Sequence, residues 1–205
     1  AVVPVHYAGH CCDMDRLMRL ADARGFCVVE DAAPALLATW KGRPLGTLGH
    51  LATFSFHETK NLTSGGEGGA LLVNDVRLVA AAEQVRQKGT DRDRFRRGEV
   101  QRYQWQSLGS SYLMSELQAA FLLAQLERAD ELSALRRQAW SRYAQAFTVG
   151  GAIAGLAAPL AGSVHNAHAW FLRLAANVDR QAVITACRAA GVEVASHYEP
   201  LHASV

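Results

Sequence analysis

The sequence predicts an α/β fold in which a mixed, mostly parallel sheet is flanked by helices. Two apolar strand-like segments, residues 2–7 and 26–30, enclose a helix that Asp13 can cap and Gly25 can end. Strand, helix and strand within about 30 residues form a βαβ unit. Residues 26–30 are almost continuously apolar, which is typical of a strand buried on both faces of a parallel sheet.

The segments that follow predict further strands and helices in alternation. Asn74 with Asp75 can open one helix, and Ser115 with Glu116 can open a long helical region with a bend. The expected elements are a hairpin at 40–46, strands at 51–56 and 70–73, helices at 74–88 and 115–147, and a polar loop at 89–109.

The pattern of predicted strands and helices changes after the long helical region. Residues 149–163 are rich in Gly and Ala, and we interpret them as a connection. A strand at 170–175, a helix at 180–190 and a strand at 192–196 are expected beyond it. The sequence therefore predicts two domains, a partial large one over residues 1–132 and a partial small one over residues 133–205.

Composition is that of an ordinary globular protein. The chain has 205 residues, of which 50% are hydrophobic and 20% are charged, and a formal net charge of +2. That charge is too small to indicate nucleic acid or a membrane surface as a partner. No apolar run approaches the roughly 20 residues that span a bilayer. The four cysteines form no CxxC pair, so we expect reduced thiols, no metal site and a cytoplasmic location.

Asp31 and Lys60 are the most informative pair of residues in the sequence. Asp31 ends the apolar strand, and Lys60 stands in the polar run 54–61 that follows the next strand. A lysine amine can form a Schiff base with an aldehyde cofactor, while a carboxylate can keep the ring nitrogen of that cofactor protonated. If the two residues act together, the protein is a pyridoxal-phosphate enzyme.

Each of these residues alone also has a plainer interpretation. Asp31 could be a loop acid at a strand end, and Lys60 could be a solvated surface group. Ser55 could be a filler in an aromatic strand, although its hydroxyl could also donate to a phosphate. The glycines at 65–69 match neither a Walker loop nor a dinucleotide fingerprint, so we expect them to serve tight backbone approach and positive φ. The order and spacing of these signals together favour the chemical interpretation.

Longer motifs point to a known family. They spread over nearly the whole chain and resemble those of the DegT/StrS family of nucleotide-sugar aminotransferases. The resemblance implies part of a type I pyridoxal-phosphate-dependent transferase fold and a homodimer whose active sites lie at the subunit interface. The motifs are Asp31-Ala32-Ala33, Gly42-Arg43-Pro44-Leu45-Gly46, Phe54-Ser55-Phe56-His57-Glu58-Thr59-Lys60-Asn61 and Gly66-Glu67-Gly68-Gly69, with support from the runs at 4–9, 109–115, 118–120 and 197–202.

The resemblance also implies roles for individual residues. Lys60 is expected to be the Schiff-base lysine, and Asp31 the partner of the ring nitrogen. Ser55 is expected to bind the cofactor phosphate, and Ser111 to reach the phosphate of the neighbouring subunit.

The same resemblance implies the substrates. His57 and His197 fall in motifs that lie near the sugar in the family. Glutamate is the implied amino donor, and a 4-keto-6-deoxy sugar on dTDP is the implied acceptor. Pro34 stands where relatives commonly have a glutamine that contacts the cofactor ring, and its side chain cannot make that contact. The charged run 91–97 is expected either to meet a nucleotide diphosphate or the partner subunit, or to be a solvated loop.

Other functions stay open from the sequence. A pyridoxal-phosphate sugar dehydratase would carry histidine in place of Lys60, so the lysine argues against it. An enzyme for another nucleotide sugar would keep the lysine and stays open. The chain starts inside a predicted strand without a methionine and stops without a helix or cap, so we expect an internal piece of a longer polypeptide. Together with Pro34, this expectation also motivates a non-catalytic dimerisation or ligand-binding fragment.

Overall fold

The computed structural model describes residues 1–198 and 201–203, so four residues of the chain, including Glu199 and Pro200 of the 197–202 motif, lie outside it. The helices are α1 (Met14–Arg24), α2 (Val79–Arg86), α3 (Arg92–Arg96), α4 (Glu116–Glu127), α5 (Ala129–Ala146) and α6 (Arg180–Ala189). The strands are β1 (Val29–Asp31), β2 (Thr39–Trp40), β3 (Arg43–Pro44), β4 (Leu51–Ser55), β5 (Gly69–Val73), β6 (Ile153–Leu156), β7 (Ser163–Val164) and β8 (Leu172–Leu174).

The chain forms two compact units. The first consists of Ala1–Ala144 and Ala158–Trp170, and the second of Gln145–Ala157 together with the residues from 171 onward. The predicted division into a large domain over 1–132 and a small one over 133–205 concerns the complete fold and stays a prediction.

The first unit contains a mixed sheet, which confirms the α/β class. Its strand order is β1-β4-β5, with β1 parallel to β4 and β4 antiparallel to β5. Two isolated parallel bridges, Val2 with Val28 and Val5 with Asp31, add the N-terminal segment beside β1. Among the described residues, β1 with β4 is the one parallel pairing of named strands, so the sheet is mixed and the predicted excess of parallel pairing stays a prediction.

Helix α1 packs on this sheet through its apolar face, and residues at both of its ends fix where it begins and stops. The Asp13 side chain accepts from Arg16 N–H (3.1 Å), and Gly25 ends the helix in the left-handed region at φ 68°. Met14 and Ala21 on its inner face are buried in a cluster with Val28 and Ala32. This βαβ arrangement confirms the prediction from the first residues, although the segment 2–7 makes bridges rather than a continuous strand.

The long helical region also follows the prediction. Ser115 caps α4 through a capping box with Gln118, and α5 follows at Ala129 after a bend. Three local predictions were wrong. β6 lies inside the segment 149–163 and β7 begins at its last residue, α3 lies inside the predicted polar loop, and residues 192–196 form no strand.

The described residues of the second unit include the antiparallel pair of β6 and β8 and the α-helix α6. β6 pairs with β8, and α6 is capped by Asp179, whose side chain accepts from Gln181 N–H (2.8 Å) and Ala182 N–H (3.2 Å). Across the part of the chain that the structure describes, no helix has the length and apolar character needed to cross a membrane.

Candidate active site

Asp31 and Ser55 lie at the carboxyl ends of two adjacent parallel strands. The register of β1 against β4 sets Asp31 beside Thr53, and Ser55 ends β4 two residues later. Paired residues, and residues two apart along a strand, point to the same face of a sheet. Asp31 and Ser55 therefore share one face at the edge where open α/β sheets bind their ligands.

The carboxylate of Asp31 is oriented by its own loop. Its Oδ1 accepts a hydrogen bond from Ala33 N–H (3.1 Å), and the side chain is partly buried. Oδ2 has no hydrogen bond to any other group among residues 1–198 and 201–203. One oxygen is thus fixed, and the other can accept from a cationic N–H donor.

Lys60 lies in the turn that follows β4. Its backbone N–H donates to the carbonyl of His57 (3.0 Å), and the turn is closed by Ser64 N–H donating to the carbonyl of Phe56 (2.9 Å). Ser55 Oγ accepts from His57 N–H (3.3 Å), which leaves its hydroxyl hydrogen able to donate elsewhere. The strand end and the turn bring Ser55 and Lys60 to the same small cavity.

This cavity adjoins the loop that follows Asp31. Its volume is about 10 Å³, which is room for about one water molecule. A cofactor ring would therefore lie over this surface rather than inside it. Besides Ser55 and Lys60, the lining includes Pro34, Asn61, Asn166 and His168.

The glycine run behind Lys60 has the structural role that the sequence predicted. Gly65 has φ 75°, and a Cβ added to Gly68 would lie 2.6 Å from Ser64 Oγ. The Gly68 carbonyl accepts from Phe56 N–H (2.7 Å), which attaches the run to the end of β4. Only a residue without a side chain permits this approach, so the run braces the lysine turn.

His57 lies in the same turn as Lys60. Its Nδ1 accepts from Thr59 N–H (3.2 Å), and its Nε2 lies 3.7 Å from Glu67 Oε1. The side chain is 35% exposed, so the turn orients the ring while solvent reaches it. Its predicted role at the sugar stays a prediction.

Ser111 and His197 lie in other segments of the chain. Ser111 is exposed and forms an antiparallel bridge with Gln87 in the first unit. His197 is exposed in the second unit, where its ring packs against Tyr198 with centroids 5.2 Å apart. Asp31 and Ser55 thus share one face at the sheet edge, and Ser55 and Lys60 line one cavity. The roles of all five residues stay predictions.

Several arginines in and around α3 are paired with nearby acids. Arg97 donates to Glu83 (2.9 Å) and to Glu99 (2.6 Å), and these hydrogen bonds raise the pKa of its guanidinium. Arg94 also donates to Glu99 (3.2 Å), and Arg86 donates to Asp93 (2.7 Å). This pattern favours the solvated interpretation of the run 91–97 over a phosphate site.

Sequence analysis missed Glu30, which points to the opposite face of β1 from Asp31. It is 0% exposed, and its carboxylate accepts from His6 Nε2 (2.9 Å) and from the N–H groups of Gly46 (2.9 Å), Leu48 (2.7 Å) and Gly49 (2.6 Å). Burial alone would raise the pKa of Glu30, but these four donors outweigh it and hold the pKa below the ordinary value. The sequence did carry a signal for Glu30, because a carboxylate inside an apolar strand needs hydrogen-bond partners.

The polar residues Asn61, Asn166 and His168 were also missed. Asn166 is 1% exposed, and it links the loop after Asp31 to the turn of Lys60. Asn61 is separated from both Asn166 and His168 by more than 100 positions along the chain, so no local pattern could have joined it to them.

The sheet-edge acid, the hydroxyl and the lysine turn offer the kinds of group that a pyridoxal-phosphate-dependent transferase uses. Asp31, Ser55 and Lys60 offer the carboxylate, hydroxyl and amine that such a cofactor requires, so the residues present fit the group by their chemistry. The chain belongs to the DegT/DnrJ/EryC1/StrS aminotransferase family, whose model matches residues 1–205. Aminotransferases of this family use pyridoxal phosphate, and solved relatives in pyridoxal-phosphate and pyridoxamine-phosphate forms resemble this chain.

Three relatives illustrate the similarity. The spore coat polysaccharide biosynthesis protein SpsC of Bacillus subtilis is 36% identical over 98% of this chain and 53% of its own length. GDP-perosamine synthase of Caulobacter vibrioides is 42% identical over 71% of this chain and 37% of its own length. The crystal structure of DesV from S. venezuelae in complex with a ketimine intermediate is 31% identical, covers 98% of this chain and 51% of DesV, and has a TM-score of 0.84. The chain spans about half the length of the curated relatives that it matches over its whole extent.

Proposed function

We propose that this protein is a pyridoxal-phosphate-dependent aminotransferase that moves an amino group from glutamate to C4 of a dTDP-4-keto-6-deoxy sugar. The observation that carries the proposal is the placement of Asp31, Ser55 and Lys60 at one edge of the sheet. Membership of the family supports the reaction class. The choice of sugar rests on the motifs, which most resemble those of dTDP-4-amino-4,6-dideoxygalactose transaminases.

Each residue of the site would have one task. When bound, the cofactor supplies an electron sink for the carbon atom that exchanges a proton. Asp31 would keep the ring nitrogen protonated through a charge-assisted hydrogen bond from its oriented carboxylate. Ser55 would donate to the phosphate. Lys60 would hold the cofactor aldehyde and then, as a neutral amine, carry a proton between the cofactor and the substrate carbon.

A second acceptor is favoured by one similarity. GDP-perosamine synthase, at 42% identity, carries the name of a GDP-sugar. A 4-keto-6-deoxy sugar on GDP is therefore the alternative substrate, with the same roles for Lys60 and Asp31. Both candidates are 4-keto-6-deoxy sugars, and they carry different nucleotides.

The cofactor is tested first, with protein expressed from its complete gene. We expect added pyridoxal phosphate to give the absorbance band of a lysine Schiff base, at about 410–430 nm. Lys60→Ala should remove that band, whereas Lys41→Ala, at an exposed lysine paired with Asp15, should keep it. Absence of the band in the wild-type protein, with no effect of Lys60→Ala, would favour the non-catalytic fragment instead.

The substrate is tested next by incubation with glutamate and one nucleotide sugar at a time. We expect 2-oxoglutarate to be released with dTDP-4-keto-6-deoxyglucose and not with the corresponding UDP-sugar. Release with the GDP-sugar alone would select the alternative acceptor. Release with the UDP-sugar alone would contradict both substrates while sparing the aminotransferase.

A homodimer with shared active sites completes the proposal. Ser111 is exposed, and the segment around it carries several exposed apolar side chains. A second copy of the chain would cover these side chains and bring Ser111 near the phosphate of the neighbouring site.

A further inference from the structure

The turn that carries Lys60 is tied to a distant segment of the same unit. Asn61 Nδ2 donates to the carbonyl of Asn166 (2.9 Å), and Asn61 Oδ1 faces His168 Nδ1 (3.0 Å). Because an amide oxygen only accepts, His168 Nδ1 must carry the hydrogen of this bond. Both polar atoms of the Asn61 side chain, next to Lys60 in the chain, are thus engaged by the segment 166–168.

The segment 166–168 is also tied to the loop that follows Asp31. Asn166 Nδ2 donates to the carbonyls of Pro34 (2.9 Å) and Leu36 (2.8 Å), and its Oδ1 accepts from His168 N–H (3.1 Å). Asn166 is almost fully buried, so loss of any of these bonds would leave a buried polar group unpaired. The network therefore spans from the Asp31 loop to the Lys60 turn without a break.

We propose that Asn61, Asn166 and His168 form a positioning clamp that fixes Lys60 relative to Asp31. This inference rests on the proposed function, in which the two residues must meet one cofactor ring at the same time. Asp31 ends β1 just before one loop, and Lys60 lies in the turn after β4. The clamp joins that loop and that turn through hydrogen bonds to both. A misplacement of about 1 Å can cost about a hundredfold in rate, so a device that fixes the spacing has a chemical purpose.

His168 is the member through which the clamp is best tested. His168→Phe keeps a ring of similar size but removes the donor to Asn61. His168→Asn places an amide N–H close to the position of Nδ1 and should restore that donor. The control is His165→Asn, in which the new side chain can still accept from Ala167 N–H, as His165 Nδ1 does (3.0 Å).

The readouts are the affinity for pyridoxal phosphate, the rate of Schiff-base formation, and the pH midpoint of the Schiff-base absorbance, all with protein from the complete gene. We expect His168→Phe to weaken binding and slow Schiff-base formation about tenfold or more and to shift the pH midpoint. His168→Asn should recover most of the loss, and His165→Asn should behave like the wild-type protein. An unchanged His168→Phe protein overturns the clamp, and so does an equal loss in all three variants.

A measurement without cofactor keeps the clamp testable on its own. In the apo protein, we expect hydrogen exchange of the amides at 57–64 to become faster in His168→Phe and to stay unchanged in His165→Asn. Unchanged exchange in His168→Phe overturns the clamp even if the wild-type protein binds the cofactor. If the wild-type protein forms no Schiff base, the proposed function fails, and this exchange experiment still decides whether the clamp exists. Should His168→Phe not fold, Asn61→Ser is tested by the same criteria.

Discussion

At the residue scale, the two adjacent acidic residues of β1 point to opposite faces of the sheet and serve different purposes. Asp31 turns to the face of the candidate site, whereas Glu30 turns into the core and gathers four donors. Three of these donors are N–H groups of the turn 46–49, which leads into β4 and so toward Lys60. Glu30 therefore supports the strand on which the site depends.

We predict that Glu30→Gln lowers the free energy of unfolding by at least about 2 kcal/mol. A glutamine presents an NH₂ group where the carboxylate accepts, so buried N–H donors lose their partner. Urea unfolding followed by fluorescence would measure the change. Glu58→Gln, at an exposed glutamate, is the control and should change stability by less than about 0.5 kcal/mol.

The same substitution has a defined pH dependence. Because the folded state lowers the pKa of Glu30 below its ordinary 4.5, the stability that it contributes is present above that pH. It is lost as the pH falls through the folded value. The difference between wild-type and Glu30→Gln proteins should therefore shrink in acid, and a difference that grows below pH 4.5 would contradict this account.

The sequence predicted the site residues that belong to local motifs and missed those that act over long distances. Asp31 was predicted because it ends an apolar strand, and Lys60 because it stands in the polar run that follows the next strand. Asn166 and His168 were missed because their partners lie more than 100 positions away, and an isolated Asn or His looks like any other. Only tertiary structure brings these residues to the site.

At the element scale, predictions succeeded where caps and periodicity agree. Helix α1 begins after Asp13 and ends before Gly25 as expected, because both signals are local. The segment 149–163 was misjudged because β6 depends on its pairing with β8, and β7, which begins at residue 163, depends on its pairing with β2. A strand of two residues carries no pattern of its own, so the sequence could not predict it.

The segment that carries Ser111 pairs with residues 87–90 through a close backbone contact. Gly89 has φ 72°, and a Cβ added to it would overlap the carbonyl of Ser107. The Gly89 carbonyl also accepts from Gln106 N–H (2.7 Å) and Ser107 N–H (3.0 Å). The segments 87–90 and 105–111 can pair only because residue 89 has no side chain.

We predict that Gly89→Ala destabilises the protein far more than Gly98→Ala. Gly98 has φ 75° but open space around its added Cβ, so its substitution should cost only the left-handed conformation, about 1–2 kcal/mol. Gly89→Ala adds a backbone clash and should cost at least about 2 kcal/mol more. Urea unfolding of the two variants measures the difference. Equal losses of stability in the two variants would contradict this account, because they would show that the segments 87–90 and 105–111 can move apart at no cost in free energy.

At the scale of the whole molecule, one stretch of the first unit exposes large apolar side chains. Trp105 is 81% exposed, Leu108 94%, Tyr112 68% and Leu117 85%. Ser111, which the proposal assigns to the neighbouring phosphate, lies among them. Exposed apolar side chains in such number mark an interaction surface, and the proposed occupant is a second copy of the chain.

We predict that Leu108→Glu weakens dimerisation of the protein expressed from its complete gene by about tenfold or more, because a charge would be buried in the interface. Sedimentation equilibrium measures the association. Val76→Glu is the matched control, since Val76 is 81% exposed outside this stretch, and it should leave association unchanged. Pyridoxal-phosphate affinity should fall in Leu108→Glu alone, because only that variant would separate Ser111 from the neighbouring site. A wild-type monomer, or full dimerisation of Leu108→Glu, would remove the basis for shared active sites.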